Sequence, residues 1–229
     1  MTRAEELATN LAGVEQRITA ACAAVGRERA DVLLVAVSKT WPASDVALLR
    51  DLGVTDFGEN RDGEAAEKAA QVNDVRWHFV GAVQTNKARS VASYADVVHS
   101  VDRPGLVDAL AQGAVRAERV VDVLVQVSLD GDPERGGAAP DEVPGLADAA
   151  AAADGLRLAG LMAVAPLGAD PAAAFGRLGE VAAALREVHP YATTVSAGMS
   201  GDLEAAVAAG ANALRVGTAL FGHRPPPSR

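Results

Sequence analysis

The sequence predicts a single α/β domain, a closed (β/α)8 barrel of the TIM type with one extra helix in front. Three observations lead there. Short apolar segments rich in β-branched residues alternate with helical segments eight times, the signature of a parallel sheet flanked by helices. Eight such units within 229 residues match the size of a closed barrel. Glycines and polar residues collect just after the apolar segments, where a barrel keeps its working face. An open doubly wound sheet is the competitor, but no Gly-x-Gly-x-x-Gly follows the first strand.

Taken in order, residues 4–25 form an amphipathic helix. Leu7, Leu11, Val14, Ile18, Cys22 and Val25 recur at spacings of three and four. Cys22 lies on that stripe and reads as packing, and Gly26 reads as the C-terminal cap. Strands are expected over 32–37, 54–57, 76–80, 96–100, 120–127, 156–163, 193–196 and 213–217. Helices are expected over 43–52, 61–71, 84–93, 103–117, 140–153, 171–187 and 201–209. The Gly/Pro/Asp-rich stretch 128–137 is a loop after the fifth strand. One domain covers 1–224, and 225–229 is read as a disordered tail.

Composition narrows the function. A net charge of −9 and 3% aromatic residues argue against a nucleic-acid or anionic-membrane partner. A single cysteine allows no internal disulfide, and no apolar run reaches the roughly 18 residues a membrane span needs. The N-terminus is polar and lacks a signal-type apolar block, so the expected location is the cytoplasm. His78, His99, His189 and His223 lack metal-ligand spacing. Asp130, Asp132 and Glu134 read as a solvated loop without the pattern of a calcium site.

Chemistry concentrates at the strand ends. The apolar run Leu33-Leu34-Val35-Ala36-Val37 stops at Ser38-Lys39-Thr40. The chain carries three lysines against eighteen arginines, so a lysine here suggests chemistry that a guanidinium cannot do. A lysine can lose its proton and form a Schiff base with an aldehyde. The commonplace alternative is a lysine that merely ends a strand in solvent. The loops after strands seven and eight are frequent phosphate sites in barrels. Here they read Ser196-Ala197-Gly198-Met199-Ser200-Gly201-Asp202 and Gly217-Thr218. Ser200 is expected to cap the helix that follows it, leaving backbone N–H groups for an anion. Arg215 shares its strand face with Gly217 and is expected to point into the barrel mouth, where it needs an acceptor. That acceptor is either an aromatic ring nitrogen or an ordinary carboxylate. Glu59 is expected to face away from the site. Lysine, phosphate cradle and arginine together suggest pyridoxal 5′-phosphate (PLP).

Seven stretches carry a resemblance. They are Ala36-Val37-Ser38-Lys39-Thr40, Phe57-Gly58-Glu59-Asn60, Trp77-His78-Phe79-Val80-Gly81, Gln84-Thr85-Asn86-Lys87, Gly160-Leu161-Met162-Ala163, Ser196-Ala197-Gly198-Met199-Ser200 and 215–222. In this order and spacing the chain resembles the pyridoxal phosphate homeostasis protein family, whose barrel is similar to the N-terminal domain of alanine racemases. The resemblance implies Lys39 as the Schiff-base lysine and Ser200, Gly217 and Thr218 at the phosphate, with Met199 in the same cofactor-binding set. It also implies Arg215 at the pyridine nitrogen and Asn60 near the ring. After Asn60 the family usually continues with tyrosine, valine and glutamine, whereas this chain has Arg61-Asp62-Gly63. It has Ala82 where proline is common, and Glu134-Arg135-Gly136-Gly137 where lysine-x-glycine is frequent.

Racemisation needs two opposed acid/base groups. The racemases draw a tyrosine from a second domain, and Tyr94 and Tyr191 fall before strands four and seven, on the opposite rim. The expectation is therefore a monomeric, non-catalytic protein that sequesters PLP and supplies it to apo PLP-dependent enzymes. The alternative is a PLP-dependent racemase or lyase with His78 or His99 as its second base.

Overall fold

The computed structural model describes residues 1–132 and 135–222, so Glu134, His223 and the tail 225–229 lie outside the described residues. Eight strands form a closed parallel barrel in chain order. They are β1 (Leu33–Val37), β2 (Asp56–Glu59), β3 (Arg76–Phe79), β4 (Val97–Val101), β5 (Val121–Gln126), β6 (Leu156–Met162), β7 (Thr194–Ser196) and β8 (Ala213–Val216). The described helices are α1 (Arg3–Ala24), α2 (Ala43–Asp51), α3 (Asp62–Gln71), α4 (Ala88–Tyr94), α5 (Pro104–Arg116), α6 (Val143–Ala152), α7 (Pro171–Val188), α8 (Leu203–Ala208) and α9 (Thr218–Phe221). Among the described residues no helix is long and apolar enough to cross a membrane.

Local chemistry sets the boundaries. A capping box starts α1: the Glu5 N–H donates to the Thr2 hydroxyl, and the Thr2 N–H donates to the Glu5 carboxylate. Gly26, at φ 68°, lets the Gly26 and Arg27 N–H groups turn back onto the carbonyls of Ala23 and Cys22. Proline opens α5 and α7 where no backbone donor is needed. Two expectations needed correction. The segment expected as one helix over 84–93 begins as a 3-10 turn, Thr85–Lys87, before α4. The four-residue α9 was not foreseen, because four residues are too few for a helical period to register.

Strand alternation divides the core in two. One large apolar cluster fills the space between strands and helices and includes Phe57, Trp77, Val98 and Leu214. A second cluster, Val97, Leu124 and Met162, packs separately inside the barrel. Beside it the interior also holds a polar group: Asp56, His78, His99, Ser196 and Arg215 are all buried.

Gly160 marks the tightest point of the wall. It has φ 150°, and the β5–β6 register shifts beside it. A Cβ there would lie 1.9 Å from the carbonyl oxygen of Thr194 on β7. Gly160→Ala should therefore cost more than about 3 kcal/mol or prevent folding, read as the midpoint of urea unfolding.

Candidate functional site

Because side chains alternate along a strand, Val35, Val37 and Lys39 share one parity, as do Asp56, Gly58 and Asn60, His78 and Val80, and Arg215 and Gly217. Each series faces inward and runs one step beyond its strand. Their outer members, Val37, Lys39, Asn60, Val80, Arg215 and Gly217, help to wall a cleft of about 550 Å3 at the C-terminal mouth. All seven residues singled out from the sequence line it: Lys39, Asn60, Met199, Ser200, Arg215, Gly217 and Thr218. Closure of the barrel makes this possible, since Val35 of β1 pairs directly with Arg215 of β8.

Lys39 is exposed to the cleft, and no hydrogen bond or ion pair engages its ammonium among the described residues. Its backbone is held from both sides. The Ser38 hydroxyl donates to Glu59 Oε1 at 2.6 Å, and Lys68 Nζ of α3 donates to the Ser38 carbonyl at 2.9 Å. Lys68 also pairs with Glu59 Oε1 at 2.5 Å. Thr40 adopts φ 70°, and its N–H donates to Glu64 of α3 at 3.1 Å. Glu59 thus faces away from the cleft, as expected, and serves as the anchor behind the lysine. Its Oε2 is buried without a partner, and the Lys68 ammonium beside Oε1 offsets that cost.

The opposite wall comes from the loops after β7 and β8. Ser200 does not cap α8, which corrects the sequence reading. A turn at 200–202 separates it from that helix, whose cap position is Asp202. The Ser200 hydroxyl instead accepts from the Ala219 N–H at 3.1 Å, tying the first turn of α9 to the β7 loop. Asp202 accepts from the Met199 N–H at 2.6 Å. No hydrogen bond engages the backbone N–H groups of Ser200, Gly201 and Thr218 among the described residues. Gly217 lies against β1: a Cβ there would sit 3.2 Å from the Val37 carbonyl oxygen.

Arg215 forms the floor and is 5% exposed. Nη1 donates to Ser196 Oγ at 2.6 Å and Nη2 to the Ala163 carbonyl at 2.8 Å. No carboxylate pairs with it among the described residues. Burial pushes its pKa down to about 10, partly opposed by the charge of Asp202. Below the floor runs a continuous polar chain. Ser196 Oγ lies 3.0 Å from His99 Nδ1, His99 Nε2 lies 2.8 Å from His78 Nδ1, and His78 Nε2 lies 2.8 Å from Asp56 Oδ1.

Neither histidine lines the cleft, and both are buried and engaged with one another. Neither tyrosine lines it. Tyr94 bonds Asp62 at 3.3 Å on the outer wall, and Tyr191 is 92% exposed. Sequence reasoning missed Trp41, Val80 and Val164, which also line the cleft. Trp41 stacks on Phe221 of α9, with the Arg3 guanidinium 4.4 Å from its ring. The turn at Thr40, φ 70°, breaks the strand alternation before it, so counting by twos could not have found it. Arg135 was noted only as a departure. It ties the β5 loop to the carbonyls of Val164 and Ala165 beside the cleft.

The family model for the N-terminal domain of alanine racemase matches residues 9–225, a span that takes in all eight strands of this barrel. Within that class the chain belongs to the pyridoxal phosphate homeostasis protein family. The family's member from Mycobacterium tuberculosis is 43% identical, covering 97% of this chain and 94% of its own. That from Pseudomonas aeruginosa is 43% identical, covering 95% and 96%. Among solved structures, PipY of Synechococcus elongatus with PLP bound superposes with a TM-score of 0.81 at 35% identity, covering 94% of this chain and all of that one.

The floor should leave a mark on pH-dependent stability. Burial above all, and after it His78 and Arg215 close by, hold the His99 ring well below the ordinary histidine range. The folded protein keeps it neutral where the unfolded chain takes up a proton. Stability is then full above about pH 6.5 and falls as pH drops from there towards the folded value. Urea unfolding at pH 7, 6 and 5 should show a slope approaching about 1.4 kcal/mol per pH unit, flattened in His99→Gln.

Proposed function

We propose that this chain holds PLP covalently through Lys39 and acts as a cytoplasmic, non-catalytic keeper of that cofactor, supplying it to apo enzymes that depend on it. The observation that carries the reading is the pairing across the β1–β8 seam. An unengaged lysine ammonium ends one strand, and the neighbouring strand ends in a buried guanidinium with N–H groups to spare. The name of the relatives and the PLP in PipY support the same assignment.

The donor set fits this group. PLP would supply an aldehyde, a ring nitrogen and a phosphate, which calls for an amine, a donor and a cluster of N–H and hydroxyl groups. Lys39 provides the amine. The Ser200 and Thr218 hydroxyls and the unengaged N–H groups of Ser200, Gly201 and Thr218 provide the cluster. Arg215 provides the ring-nitrogen donor, with Asn60 and Met199 at the sides. A guanidinium can only donate, so it keeps the ring nitrogen unprotonated and electron withdrawal weak.

That electronic setting suits storage better than turnover. A second acid/base group opposite Lys39 is what racemisation would require. The histidines that could serve lie under the floor and are spent on Asp56 and Ser196. We take the chain as a single domain over 1–224 and as a monomer.

Borohydride reduction of the loaded protein followed by digestion should place the pyridoxyl label on the peptide carrying Lys39. Lys39→Ala should abolish both the label and the yellow absorbance, and a label on Lys68 or Lys87 would overturn the assignment. Competition of PLP against pyridoxal tests the phosphate end. The unmodified protein should favour PLP by roughly a hundredfold, and Ser200→Ala with Thr218→Ala should narrow that to less than about tenfold.

A further inference from the structure

We propose that the buried chain Asp56–His78–His99–Ser196 is a one-way hydrogen-bond relay that fixes the donor pose of Arg215 towards the cofactor ring. Asp56 then acts as a positioning residue from the far end of the barrel. The inference rests on Arg215 facing the ring nitrogen, as argued above.

The direction follows from the two ends. A carboxylate can only accept and a guanidinium can only donate. Burial pushes the Asp56 carboxyl up, but hydrogen bonds from His78 and from Thr55, at 2.7 Å, outweigh it and hold it below its usual range. Asp56 is therefore ionised, and His78 Nε2 carries the hydrogen between them. From the other end, Arg215 can only donate, so Ser196 Oγ accepts from it and sends its own hydrogen to the acceptor beside it, His99 Nδ1; a His99 ring that accepts there carries its hydrogen on Nε2 and donates it to His78 Nδ1 across the 2.8 Å contact. His99, kept neutral by burial, has spent its one hydrogen and accepts at Nδ1 from the Ser196 hydroxyl. Ser196 Oγ is left with lone pairs alone, which is what Arg215 Nη1 needs at 2.6 Å.

The reverse direction fails locally. His99 and Arg215 would both aim hydrogens at Ser196 Oγ, and the serine hydrogen would have no acceptor in a buried site. The relay thus makes Ser196 a pure acceptor. With the Ala163 carbonyl on Nη2, it pins the guanidinium plane at two points. The remaining N–H groups of Arg215 face the cleft in one orientation. Asp56 is the first residue of β2, and it and both histidines stay out of the cleft, so the effect on the cofactor is carried through bonds.

The test begins with the cofactor-free protein. Ring 15N shifts of the two buried histidines should show the hydrogen on Nε2 of both. A hydrogen on Nδ1 of His99 would overturn the relay. PLP titrations followed by absorbance then compare Asp56→Ala, Ser196→Ala and Arg215→Ala. The first two should weaken binding roughly three- to tenfold and move the absorbance maximum in the same sense as Arg215→Ala, with the borohydride label still on Lys39. Unchanged binding in both, beside a weakened Arg215→Ala, would sink the positioning role while leaving Arg215 at the ring. Unchanged binding in Arg215→Ala would instead sink the placement of Arg215, and the relay's role with it. Should Asp56→Ala fail to fold, Ser196→Ala and the tautomer measurement decide alone.

Discussion

The molecule depends on one closure, the pairing of β1 with β8. Leu33, Leu34, Val35 and Ala36 lie in register with Ala213, Leu214, Arg215 and Val216. In a parallel barrel every strand delivers its C-terminal end to the same mouth. This seam therefore sets the first strand end, with its lysine, beside the last, with its arginine and glycine. Strand parity does the rest. A one-residue slip of β1 would turn Lys39 outward and Ser38 inward, and separate Ser38 from Glu59. Ser38 is thus more than a spacer. Its two hydrogen bonds to the Glu59–Lys68 pair make the correct register also the one in which no buried polar group of the β1 end is stranded.

The barrel interior departs from the usual filling of branched apolar side chains. Val97, Leu124 and Met162 pack in one part, while another part is taken by the polar chain from Asp56 to Arg215. Each unsatisfied group in such a place costs about 1–3 kcal/mol. Here every ring nitrogen of His78 and His99 has a partner, so the interior tolerates an arginine with no carboxylate beside it. Leaving Arg215 unpaired with an acid has a consequence for the site. A neighbouring carboxylate would compete for its N–H groups, whereas a hydroxyl and a carbonyl hold two points of the fork and leave the others available.

Much of this was legible in the sequence because barrels repeat simple rules. Apolar runs gave all eight strands to within about two residues, and the inward parity of Lys39 and Arg215 followed from counting by twos. What escaped reading was non-local. Ser200 looks like a helix cap in sequence, yet its partner is Ala219, beyond β8, and only the closed barrel brings them together. His78 and His99 each look like isolated strand residues, because the contact between them depends on how β3 and β4 are staggered. Trp41 escaped because an indole after a turn carries no signal of the side it will take. It faces the cleft because α9, itself too short to foresee, offers Phe221 for it to stack on.

The extra helix α1 explains how the loops after β7 and β8 keep their shape. It contributes no strand, but three of its side chains reach across the fold to carbonyls: Arg17 to Ser200, Asn10 to Leu220 and Arg3 to Phe221. In a trans peptide the carbonyl and the following N–H point in opposite directions, and no cis peptide occurs among the described residues. Drawing the Ser200 carbonyl outward to Arg17 therefore turns the Gly201 N–H the other way, towards the cleft that Gly201 lines. The same helix holds the C-terminal carbonyls of α9, the short helix that Thr218 opens. The anion-binding role proposed for this corner thus owes less to the dipole of the six-residue α8 than to peptide planes held by a helix outside the barrel.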